Sequence, residues 1–96
     1  MIVFIAAEAG ADLLQIDSYI AERNPAAADS LAEAINKKFE NLLHFPFIGR
    51  DRSDLSPGLR SIVADHYVIF YMVEVNRLTV VRVFDGRRDI DAEFLR

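Results

Sequence analysis

Apolar residues change their spacing several times along the chain, and each change marks an element. Met1 to Ala6 is a short apolar run with β-branched residues and predicts a strand. From Glu8 the period becomes helical. Ala9, Leu13, Ile16 and Ile20 form one stripe ending near Arg23, while Asp12, Asp17 and Glu22 fall off it and are expected to face water. Asn24-Pro25 stops this helix and starts another, with Asn24 as N-cap and Pro25 at the first helical position. Ala28, Leu31, Ile35, Phe39 and Leu42 form the second stripe, and so short a connection requires an antiparallel hairpin.

Phe45-Pro46-Phe47-Ile48-Gly49 ends the helical pattern, and a polar stretch from Arg50 to Gly58 closes on the turn signal Pro57-Gly58. Strands are then predicted at Leu59 to Asp65, Tyr67 to Glu74 and Leu78 to Phe84, with Val75-Asn76-Arg77 as a tight connection. The middle strand is apolar on both faces, as expected for a central strand covered on both sides or paired with a partner. The last alternates, which sets Thr79, Val81 and Val83 on one face and Leu78, Val80, Arg82 and Phe84 on the other. After the turn Asp85-Gly86, Arg88 to Arg96 predicts a short closing helix with Ile90, Phe94 and Leu95 inward. The expected fold is α+β: an N-terminal strand, an antiparallel helical hairpin on a largely antiparallel sheet, and a short C-terminal helix. With 96 residues, the whole of 1–96 is expected to form a single domain.

Composition narrows the chemistry. There is no cysteine, which removes disulfides, thiolate metal sites and cysteine nucleophiles. The apolar run Tyr67 to Val73 is far short of the roughly 20 residues that span a bilayer, and Glu8 interrupts the apolar start, which argues against a signal peptide. A cytoplasmic protein without a membrane association is expected. Residues 1–48 carry three basic and seven acidic side chains; residues 49–96 carry eight of each, and all eight basic ones are arginine. A net charge of −4 disfavours broad or sequence-specific gripping of a nucleic-acid backbone.

His44, at a helix end, and His66, opening a strand, read as structural or surface residues, so no metal site is expected. Asp89, Asp91 and Glu93 read as helix-dipole complements. No nucleophile elbow and no glycine-rich phosphate loop is present, and no cofactor is implied. Two features carry more. Arg60 and Arg82 lie on strands and, if both project from the sheet face away from the helices, could together bind a phosphate or a partner's carboxylate. The alternative is internal pairing with Asp65, Asp85, Asp89 or Glu93, the reading favoured for Arg87 and Arg88. The large apolar residues Phe39, Leu42, Leu43, Phe45, Phe47, Ile48, Tyr67, Phe70 and Tyr71 either fill a core or leave an exposed groove for a partner.

Motif order then points to a family. Asp12-Leu13, Tyr19-Ile20-Ala21-Glu22, Asn24-Pro25, Ala27-Ala28, Phe45-Pro46, Ile48-Gly49-Arg50, Pro57-Gly58-Leu59-Arg60-Ser61, Tyr67-Val68-Ile69-Phe70-Tyr71, Val81-Arg82-Val83 and Gly86-Arg87-Arg88-Asp89-Ile90 stand in the order of ParE toxins. The chain resembles that family, part of the ParE/RelE superfamily of type II toxin–antitoxin modules, over nearly its whole length. The resemblance implies a non-enzymatic toxin that inhibits DNA gyrase by binding, serves plasmid stabilization, and is neutralised by a ParD-like ribbon-helix-helix antitoxin. It makes Arg60, Arg82, Arg87, Arg88 and Phe94 the candidates for contact with target or antitoxin. The rival branch, RelE, cuts mRNA on the ribosome with basic residues and a C-terminal Tyr or His. Arg60 and Arg82 match arginines of that branch, but Phe84 to Arg96 holds no Tyr, His or Lys and residues 45–58 hold no lysine. A third reading is a domain that binds antitoxin and has lost toxicity.

Overall fold

A computed structural model describes residues 1–94, so the expected inward Leu95 and the helix end at Arg96 lie outside the described residues. The elements are β1 (Ile2–Ile5), α1 (Ala7–Arg23), α2 (Pro25–His44), β2 (Arg50–Asp51), β3 (Leu59–Ala64), β4 (Tyr67–Val73), β5 (Arg77–Asp85) and α3 (Ile90–Phe94). They follow the expected order, with the two-residue β2 added inside the polar stretch. Asn24 breaks the helical hairpin as anticipated: its Oδ1 accepts the Ala27 amide at 3.1 Å, and Pro25 follows at the first helical position.

Five strands form one sheet in the order β1-β5-β4-β3-β2. β1 runs parallel to β5, and the other pairs are antiparallel. The first strand of the hairpin β3-β4 ends at Ala64 rather than Asp65, because Asp65 takes a left-handed φ of 58° in the tight turn. Gly58 has φ 79° behind Pro57, and the Leu59 amide donates to the Ser56 carbonyl at 3.1 Å, the geometry of a type II turn.

The helices cover one sheet face. Ala9, Leu31, Ile35 and Leu42 are buried against Tyr67, Ile69, Tyr71, Leu78, Val80 and Val83, with Leu13, Ile16, Ile20 and Phe39 packed beside them. On the opposite face Leu59, Phe70 and Phe84 form a second cluster, roofed by Leu55 from the 52–58 loop and by Ile90 and Phe94 of α3. Phe94 meets Phe70 edge-on at 4.8 Å between ring centroids and Phe84 at 5.6 Å.

The expected alternation along β5 is wrong at one point. Phe70 pairs with Arg82 but Tyr71 pairs with Val80, so Val81 is the extra residue of a β-bulge. Leu78, Val80 and Val83 consequently face the helices, whereas Thr79, Val81 and Phe84 do not. One added residue shifts the phase of everything after it.

Between α2 and β2 the chain passes under Tyr71, which is fully buried. Its hydroxyl donates to the Pro46 carbonyl at 2.8 Å and accepts the Gly49 amide at 2.9 Å. A Cβ on Gly49 would sit 2.9 Å from the Ser61 carbonyl oxygen and press into the Tyr71 ring and hydroxyl. Gly49→Ala is therefore expected to lower stability by about 1–3 kcal/mol, as overpacking of a close backbone approach does. Thermal unfolding of the purified protein checks this, and a melting temperature equal to that of the parent would contradict the packing described.

Candidate functional site

The five residues singled out by sequence do not converge. Arg60 pairs across the ladder with Tyr71 and Arg82 with Phe70, consecutive residues of β4 on opposite faces, so the expected shared arginine face does not form. Arg60 belongs to the Tyr71 side. Its Nη1 donates to the carbonyls of Gly49 at 2.9 Å and Phe47 at 3.2 Å, and its guanidinium lies 5.1 Å from the Phe47 ring centroid.

Arg82 is held by α1. Its Nε and Nη2 donate to the two oxygens of Asp12 at 2.8 and 3.0 Å, and Glu8 lies 3.5 Å from Nη1. The same Asp12 carboxylate accepts the Val83 amide at 3.0 Å. β1 reaches only as far as Val80, so Val83 lies on an open edge of β5, and Asp12 supplies the acceptor that a neighbouring strand would have offered. Bidentate pairing with Asp12 holds the Arg82 guanidinium above its ordinary pKa. The expectation that Asp12 faces water is thus corrected, and so is the set of carboxylates expected to pair with Arg82. The sequence held a signal: Asp12 sits three residues after Ala9 and one before Leu13, on the flank of the buried stripe.

Arg87 and Arg88 pair internally, in line with the reading favoured for them. Arg87 donates to Asp85 at 2.6 and 3.0 Å, and Arg88 meets Glu93 at 3.3 Å. The Arg87 side chain and its backbone amide hold the Asp85 carboxyl well below the usual carboxylate range. Phe94 is packed into the second aromatic cluster.

Two surfaces of the molecule are strongly apolar. One groove of about 410 Å³ runs between α1, α2 and the end of β1, lined by Ile5, Leu13, Leu14, Ala32, Ile35 and Phe39 among others. Beside it, β1 is an open sheet edge bearing the exposed side chains of Ile2, Phe4 and Ile5. The second apolar surface is the loop after α2, where Phe45, Phe47 and Ile48 stand exposed. Of the large apolar residues weighed from sequence, these three and Leu43 are exposed, whereas Leu42, Tyr67, Phe70 and Tyr71 are core. Sequence reading passed over Leu14 and Tyr19, which lie off the buried stripe of α1 and are exposed.

A family model described as the ParE toxin of the type II toxin–antitoxin system parDE matches residues 3–90. The chain belongs to the ParE toxin family. It is 32% identical over 83 residues to Toxin ParE3 of Caulobacter vibrioides (strain ATCC 19089 / CIP 103742 / CB 15), a match covering 85% of this chain and 83% of that toxin. Among solved structures it is similar in fold to one described as the chromosomal ParDE TA system from P. aeruginosa, with a TM-score of 0.74 and 19% identity over 88% of this chain and 95% of that one. The members of this family are the toxins of type II toxin–antitoxin systems. No helix among the described residues is long and apolar enough to cross a membrane.

The charge pairs differ in what their loss would cost. Asp12→Ala orphans the part-buried Arg82 and the Val83 amide, so it should lower stability by about 1–3 kcal/mol. Arg87→Ala, which removes a cation that is 76% exposed, should leave stability little changed, because solvent screens the pair. Denaturant unfolding of both variants tests the contrast. Asp85 has a lowered native pKa, so its contribution is complete above its unfolded value near 4 and fades as the pH falls below that. Asp85→Asn should accordingly flatten the acid limb of the stability profile, measured by unfolding between about pH 2 and 5.

Proposed function

We propose that this ParE-family toxin acts by binding rather than by covalent chemistry. It inhibits DNA gyrase in the cytoplasm, and a ParD-like ribbon-helix-helix antitoxin neutralises it, the arrangement that underlies plasmid stabilization by such modules. The observation that carries the reading is the fate of the strand arginines. Cleaving a nucleic-acid backbone needs cations aimed where charge develops in the transition state. Here Arg82 is clamped by Asp12, Arg60 is committed to the carbonyls of Phe47 and Gly49, and the two lie on opposite faces of β4. Arg87 and Arg88 are matched by Asp85 and Glu93. Exposed apolar surfaces, the material of protein recognition, stand at the helical groove and on the loop after α2.

The groove between the helices and the adjacent β1 edge fits the antitoxin. An amphipathic helix can lay its apolar face in the groove, and an extended segment can add to the edge of β1. Arg82→Glu is a poor probe of that contact, because it would oppose Asp12 and Glu8 within the toxin itself. Leu14→Glu, on the exposed rim of the groove, is the better one and should weaken antitoxin binding by more than about 2 kcal/mol.

The purified toxin is expected to inhibit supercoiling by gyrase, and added antitoxin is expected to restore it. Induced cells should show no new 5′ ends on translated mRNA by primer extension. New ends, with supercoiling unaffected, would replace this reading with a ribosome-dependent ribonuclease. Unchanged growth on induction without antitoxin would leave a domain that retains antitoxin binding alone.

A further inference from the structure

We infer that the loop from Phe45 to Ile48 is the toxin's target-contact surface, and that it takes a protein segment bearing apolar side chains flanked by Asp or Glu. This rests on the binding-toxin reading above and adds where the target is held. Phe45, Phe47 and Ile48 are 64–65% exposed within one short loop. Exposed aromatic and aliphatic groups of this size, close together, mark an interaction surface on a small protein. The backbone beneath them is fixed. Tyr71 grips the Pro46 carbonyl and the Gly49 amide, Arg60 grips the carbonyls of Phe47 and Gly49, and the Ile48 amide donates to the Phe45 carbonyl at 3.1 Å. A loop whose main chain is tied to β3 and β4 while its large side chains stay exposed is pre-organised, and a partner need do little ordering on binding.

Charge selects the partner. Lys38 and Arg50 line one cavity of about 210 Å³ with Ile48, and Arg60 lies over Phe47. No acidic residue occurs from Asn41 to Arg50, in a chain whose net charge is −4. Glu40 and Asp51 flank that stretch, and Asp51 accepts the Ser53 amide at 2.8 Å. An apolar centre with a basic rim complements an acidic, apolar-bearing protein segment. With three cations around it and an acidic chain behind it, the loop is poorly suited to a nucleic-acid backbone. Its position also separates it from the antitoxin groove. The loop leads into β2, at the opposite end of the sheet from β1.

The test uses the full chain with Phe45→Ser, Phe47→Ser and Ile48→Ser combined, against purified gyrase holoenzyme, in growth assays and in co-purification with the antitoxin encoded beside it. The triple variant should need at least about tenfold more protein for half-inhibition of supercoiling and should lose growth arrest, while still co-purifying with antitoxin. Retained antitoxin binding shows that it has folded. Tyr71→Phe keeps every exposed group but releases the loop, and should cause a smaller loss of the same kind. Lys38→Glu with Arg50→Glu should weaken inhibition severalfold, most at low salt. A triple variant that stays toxic overturns the inference. So does one that loses antitoxin binding, which makes the loop part of the antitoxin site. A parent chain that is dimeric by light scattering, with a monomeric triple variant, gives the loop to a second copy and overturns it as well. Retention of the parent, but not the variant, on short duplex DNA assigns the loop to nucleic acid and likewise overturns the inference. If the parent arrests growth without inhibiting gyrase, the gyrase reading fails and the growth arrest of the variants alone decides the loop. If the parent arrests nothing, both readings fall.

Discussion

A strand that is apolar on both faces must be covered twice, and β4 imposes that requirement on the whole chain. Ile69 and Tyr71 point toward the helical hairpin, and Phe70 points the other way. Two helices of 17 and 20 residues cover the first face with continuous stripes. Among the described residues the second face is roofed by the 52–58 loop and a five-residue helix, with Leu55, Ile90 and Phe94 closing over Phe70 and Phe84. This commits the C-terminal segment to the fold. Arg88 pairs with Glu93 across it and Arg87 with Asp85 at its root, which holds the segment where Phe94 can reach the aromatic cluster.

The bulge at Val81 resolves a second conflict. β5 must present Val80 and Val83 to the same core, three residues apart, which strict alternation forbids. Inserting Val81 changes the phase, and Arg82 follows on the stretch of β5 that β1 does not reach. There Asp12 of α1 meets both the guanidinium and the Val83 amide, so one carboxylate closes a sheet edge and ties the helix to it. A group that looks like chemistry in the sequence is in the structure a clasp.

What is left for function is surface that the fold does not consume. The toxin keeps an apolar groove and an unpaired strand at one end of its sheet, and an apolar loop on a fixed backbone at the other. Two separate apolar surfaces suit the proposed mode of action, in which an antitoxin holds the toxin at one and the toxin holds its target with the other. The buried Tyr71 hydroxyl connects the core to the second of these. The same side chain that fills space under α2 also fixes the main chain of the loop.

Element order, the helical hairpin with its Asn24 cap, the central β4 and the family were all legible from residue order, because periodicity and capping are local and motif order survives without coordinates. Tyr67, Phe70 and Phe45 read alike in one dimension, yet only the last is exposed. Which arginine meets which carboxylate was not legible either, since Arg82 and Asp12 are 70 residues apart and depend on a one-residue bulge. Local spacing determined which elements form and which side of each is apolar. Tertiary structure alone decided strand phase, charge partners and the apolar groups left in water, because each depends on contacts between segments that no local spacing encodes.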